Sequence, residues 1–183
     1  MTSILKADRV QSTSNGFVLP PAGGIIQMQY TQFTGTSEVS ISAGTDTALT
    51  DLTVNITPIS TSSIIRIDAM VNGEWNTQEA TYDNVWFFYR DTTKLSHAAA
   101  GNRNVGVMMG TSLTYYSSDS ASTPEHVTYS YFDTPSTTSQ ITYKVGVKQG
   151  NGYNWFLNRT VTDTDNASYE RGTSFISVTE IAG

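Results

Sequence analysis

The residues of this chain that could do chemistry are few and scattered. His97 and His126 stand far apart in the sequence, and the chain has no cysteine to join them. A metal centre needs convergent ligands, and no H-E-x-x-H or comparable spacing supplies them. Asp163-Thr164-Asp165-Asn166 resembles the start of a calcium loop. It lacks the following glycine and the distal bidentate glutamate, and reads instead as a solvated loop with Asx turns. Asp119/Glu125 and Glu74/Glu79 are residue types that a glycosidase uses as acid and base. Pairs drawn from sixteen acidic residues carry no information without geometry. No G-x-S-x-G elbow, phosphate-cradling glycine loop or S-x-x-K is present. Asn55-Ile56-Thr57, Asn158-Arg159-Thr160 and Asn166-Ala167-Ser168 match the glycosylation pattern, a match that Ser/Thr-rich chains produce by chance. The expectation is no catalytic group, no metal and no cofactor: not an enzyme.

Binding chemistry remains. Tyr115, Tyr116, Tyr153 and Trp155, with Asn154 beside them, are candidate ligand contacts, because flat rings next to amides suit stacking on a surface glycan. The loops at 73–81, 91–103 and 159–172 would present them. In Val85-Trp86-Phe87-Phe88-Tyr89, alternate side chains point into a core. The other face would be bare unless a neighbouring subunit covers it.

The elements that must position these groups are strands. Ile141, Tyr143, Val145 and Val147 alternate with Thr142, Lys144 and Lys148, a period of two. Ile65, Ile67, Ala69 and Val71 alternate with Arg66 and Asp68. Strands are expected at 25–33, 36–42, 48–57, 63–72, 83–90, 104–109, 112–117, 125–133, 140–148, 153–158 and 173–181, with one brief helical turn near 95–100. Turn chemistry such as Asp133-Thr134-Pro135-Ser136 separates them. Many short strands indicate an all-β fold, a jelly-roll-like antiparallel sandwich of residues 25–183. Its expected core holds Ile65, Ile67, Val71, Trp86, Phe88, Val127, Tyr129, Tyr143, Val145, Ile176 and Val178.

Residues 1–24 are expected to be an extended arm. Pro20-Pro21 favours polyproline II and Gly23-Gly24 releases it. Ile4, Leu5, Val10, Phe17 and Leu19 are its apolar contacts, too few to make a core. About four backbone hydrogen bonds at ~1 kcal/mol each, with burial of Ile4, Leu5 and Val10 at ~1.5–3 kcal/mol each, would hold it on another subunit by strand addition before ordering costs.

With 183 residues the chain is long enough for one sandwich core without disulfides. Net charge is −6 and the ten basic residues are dispersed, against the basic stripe of a nucleic-acid binder. The N-terminal MTSILKADRVQST has no long apolar run and no stretch reaches bilayer-spanning length, so a soluble protein starting near Met1 without membrane insertion is expected. Only 14% of residues are charged, which suits an adhesive or assembled surface.

Several segments in order carry a resemblance: Gly24-Ile25-Ile26-Gln27, Ile56-Thr57-Pro58-Ile59-Ser60-Thr61-Ser62-Ser63, Phe88-Tyr89-Arg90-Asp91 with Ala98-Ala99-Ala100-Gly101-Asn102-Arg103, Phe132-Asp133-Thr134-Pro135, Asn158-Arg159 with Asp163-Thr164-Asp165, and the ending Glu180-Ile181-Ala182-Gly183. Together they resemble a family of small virion surface proteins of tailed phages, abundant in cyanophage sequences. The resemblance implies a jelly-roll-like homotrimer on the particle, with the major capsid protein or another virion protein as partner. The expected function is capsid decoration or cement; the alternative is a tail-fibre or receptor-binding tip that holds host surface polysaccharide.

Overall fold

The structure is a computed structural model that describes residues 20–111 and 121–183. Within it the chain runs β1 (Ile25–Phe33), β2 (Ser37–Ile41), β3 (Thr47–Ile56), β4 (Ile64–Trp75), a 3₁₀ turn (Gln78–Thr81), β5 (Asn84–Arg90), β6 (Thr93–Leu95), β7 (Met108–Met109), β8 (Glu125–Asp133), β9 (Ile141–Gln149), β10 (Tyr153–Leu157) and β11 (Ser174–Ile181). One sheet orders β1-β11-β4 with β8 on the far edge of β4. The other orders β3-β9-β5-β6, and β7 lies end to end with β6 along β5. Every pairing is antiparallel, and successive strands pass repeatedly from one sheet to the other. This is the jelly-roll sandwich.

Alternation explains why these segments became half-buried strands. Ile65, Ile67, Ala69 and Val71 on β4 and Tyr143, Val145 and Val147 on β9 meet Val127, Ile176 and Val178 in a single core, and every core residue expected from the sequence is buried there. Trp75, Trp86 and Trp155 fill its end as an edge-to-face cluster with centroids 5.2–6.2 Å apart. The Trp75 indole donates to Thr111 Oγ1 at 2.9 Å and that of Trp86 to Asn84 Oδ1 at 2.8 Å.

The first sheet forks. β4 is twelve residues long, and β11 pairs with its first part while β10 takes over the same edge from Gly73 to Trp75. Asn158 sits in the crotch at φ 62°, a left-handed conformation that Asn tolerates. Its amide donates to Phe33 O and Gly35 O at 2.8 Å each, and its Oδ1 accepts from Ser174 Oγ at 2.5 Å. Gly73 passes beneath Trp155, where a Cβ would come within 2.7 Å of the indole. β10 also pairs with β2, which makes a side ribbon.

Three local expectations are corrected. The 95–100 stretch is not helical: Leu95 ends β6, buried opposite Phe88, and the alanines beyond are too few to nucleate a helix. The 3₁₀ turn lies at Gln78–Thr81 instead. Strand structure in 104–109 is confined to Met108–Met109, while 112–117 lies outside the described residues. Of the expected arm, residues 1–19 also lie outside them. Pro21 to Gly24 forms a tight turn closed by Gly24 N–H donating to Pro21 O at 2.8 Å, with Gly23 at φ 84°. Gly23 N–H also donates to Ala182 O at 2.7 Å, so this piece belongs to the sandwich rather than to an arm.

Candidate interaction surface

The structure separates the expected ligand contacts. Ile4, Leu5, Val10, Phe17, Leu19, Tyr115 and Tyr116 lie outside the described residues. Trp155 is 0% exposed, at the heart of the tryptophan cluster, which corrects its assignment as a surface contact. Tyr153 opens β10 half-buried, and its hydroxyl donates to Glu79 Oε2 at 3.2 Å. Desolvation, then this bond to a carboxylate, raises its pKa. Asn154 is occupied by Glu38, to which its amide donates at 2.6 Å.

Asp163, Glu74 and Asp133 are likewise committed. Asp163 and Arg171 form a two-bond ion pair at 2.8 Å, which lowers the Asp163 pKa and holds the 159–172 loop around a polar cavity lined also by Asp165, Asn166 and Tyr169. Glu74 is buried and accepts from Thr123 N–H and Oγ1 at 3.0 and 2.6 Å and from Val161 N–H at 2.6 Å. It is a tether for two loops, not half of an acid–base pair with the exposed Glu79. Asp133 accepts two bonds from Arg90 and one from Tyr143 at 2.7 Å. Among the described residues no group of three or more His, Cys, Asp or Glu could hold a metal ion.

Two of the buried phenols make stability pH-dependent. Tyr129 donates to Phe87 O at 2.9 Å, and burial raises its pKa well above the ordinary value. Tyr143 is raised by burial and then by its bond to Asp133. The folded protein keeps protons that the unfolded chain releases near pH 10. Stability is therefore full below about pH 10 and falls above it, by about 1.4 kcal/mol per pH unit for each suppressed tyrosine. Unfolding free energies from urea titrations should stay level from pH 9 to about pH 10 and then drop with that slope, and Tyr129→Phe should leave only the share of Tyr143.

The aromatic run on β5 does not need a second subunit. Phe87 is fully buried by its own chain: the Lys94 ammonium sits 3.9 Å from the ring centroid and the Tyr89 ring 5.2 Å away. Gly146 lies opposite on β9, where any Cβ would collide with the ring.

The uncovered apolar surface is on the other sheet. Cross-strand register lays three rows over the outer face of β1, β11, β4 and β8: Met28, Thr179, Arg66, Phe132; Tyr30, Ser177, Asp68, Ser130; Gln32, Phe175, Met70, Thr128. Ile25, opposite Ile181 and Ile64, extends them. Met28, Tyr30 and Phe132 are 56%, 68% and 60% exposed, and Met28, Tyr30 and Phe175 border a shallow groove. The two charges in these rows cancel: Arg66 pairs with Asp68 at 2.9 Å, and Ser130 Oγ donates to the same carboxylate at 2.6 Å. No helix among the described residues is long and apolar enough to cross a membrane.

No protein-family model matches the chain, and no curated protein matches it either.

Proposed function

We propose that the chain is a non-enzymatic structural protein of a tailed-phage virion, a decoration or cement protein that sits on the capsid surface as a homotrimer. The observation that carries this reading is the net-neutral and partly apolar outer face of β1, β11, β4 and β8. A broad neutral face of this kind suits docking of a macromolecule, since monomers rarely leave such patches bare. The committed state of Glu74, Asp133 and Asp163, each already bonded to structural donors, supports a binding rather than a catalytic protein. The jelly roll fits, being an architecture of capsid and lectin domains, although a fold alone does not set a function. The order of segments that resembles virion surface proteins supplies the particle.

In this reading residues 1–19 are the clasp onto the major capsid protein. The described chain after them begins at Pro20, next to the turn in which Gly23 is bonded to Ala182. Three copies on one trimer would act together through effective concentration. Deleting residues 2–19 should leave the circular dichroism spectrum of the sandwich intact and abolish co-sedimentation with purified undecorated capsids. Full occupancy by the truncated protein would remove the clasp from the account.

A further inference from the structure

We infer that the outer face of β1, β11, β4 and β8 is the seat of a second copy of this chain. The inference rests on the self-assembly in the reading above and identifies the surface that performs it. Its first support is the orientation of β1. A sandwich strand ordinarily turns apolar side chains inward and polar ones outward. β1 does the reverse over much of its length. Gln27 points inward, where its amide donates to Glu180 at 2.6 Å and Thr57 O at 2.8 Å, and Thr31 donates to Thr53 O at 2.6 Å. Met28 and Tyr30 point outward into solvent. The single-chain fold gains nothing from that placement; a covered face does.

Charge selects the occupant. A chain of net charge −6 repels its own copies, so two copies can meet closely only where no net charge is carried. This face meets that condition through the Arg66–Asp68 pair. A strongly basic partner would instead call for an acidic patch. The area is also sufficient. Four strands at ~4.8 Å spacing and about eight residues at ~3.4 Å rise span roughly 500 Å². Two copies together then bury on the order of 1,000 Å², the threshold for a specific contact. β1 is finally an edge strand of nine residues with no charge and no proline, the kind of edge that proteins otherwise guard or cover.

The test is the mass in solution, by light scattering after size exclusion, of the full chain, of Tyr30→Lys, of Phe132→Lys and of the protein lacking residues 2–19. Both lysine changes are at side chains standing mostly in solvent, so the folded state is retained, with circular dichroism as the check. The full chain should run at a multiple of 19.9 kDa and the truncated one at the same multiple of its own, smaller subunit mass. Each lysine should raise the dissociation constant about tenfold or more, and the two together should leave monomers. Intact assembly in the double variant would overturn the inference and leave self-assembly standing on another surface. Loss of assembly on truncation alone would assign the role to the N-terminal segment instead. A full chain that is monomeric at about 100 μM, far above the range of a specific contact, would overturn both the interface and the homotrimer. Capsid attachment is judged separately by the co-sedimentation above.

Discussion

Replacing Trp155 by alanine is expected to destabilise the fold by about 3–5 kcal/mol, a large share of the ~5–15 kcal/mol that holds a domain of this size. The indole is wholly buried, meets Trp75 at 5.2 Å and Trp86 at 5.3 Å, and roofs Gly73 where β10 joins β4. Its removal opens a cavity between three strands that their hydrogen bonds prevent from closing. Equilibrium urea unfolding followed by tryptophan fluorescence reads the effect as a lower midpoint at unchanged slope. A ligand-contacting tryptophan on the surface would behave oppositely, with stability untouched and only binding lost. The one measurement therefore also decides between the core position and the surface role expected from sequence.

Glu180→Leu is expected to cost a similar amount, about 3–5 kcal/mol, by a different route. Glu180 is buried on β11 and forms no ion pair among the described residues. Its carboxylate accepts from Gln27 Nε2 at 2.6 Å, Ile59 N–H at 2.7 Å and Ser63 Oγ at 2.6 Å. It thereby ties β1, β11 and the Pro58-containing loop at one end of the sandwich. Leucine preserves bulk but leaves the buried Ser63 hydroxyl without its acceptor and takes one partner from the Gln27 amide and the Ile59 N–H, each unpaired donor costing about 1–3 kcal/mol before relaxation lets in water. Glu180→Gln keeps one acceptor and should recover part of the loss. Amide exchange is the sharper readout: protection at Ile59, whose N–H Glu180 accepts, should vanish in the leucine variant before protection at Ile67 does.

The sequence showed its strands where one face is wet and the other dry. β4 and β9 were legible because Arg66, Asp68, Lys144 and Lys148 interrupt the apolar series at every second position. β10 offered no such contrast. Trp155, Phe156 and Leu157 are all buried, since β10 is hemmed between β2 and β4 with its flanks covered, and its indole could pass for a surface platform. Phe87 misled for a related reason. What covers it is Lys94 on the next hairpin arm and the missing side chain of Gly146 on a distant strand, neither of which periodicity encodes. The candidate face was hidden altogether. Its exposed residues come from β1, β11, β4 and β8, and only register brings Met28 and Phe132 into one row. A signal did exist in β1, where Gln27, Gln29 and Thr31 alternate with Met28 and Tyr30, but alternation alone does not say which set faces the core.

The pairing of β1 with β11 has a consequence for biosynthesis. The ribosome makes β1 some 140 residues before its partner, and β11 also separates β1 from β4. Until β11 emerges, the sheet lacks the strand that joins its two halves, so the domain matures only after all of its other strands have been made. Such long-range closure places it among the slow β folders, on the millisecond-to-second scale, and leaves the uncharged strand β1 waiting longest for its partner.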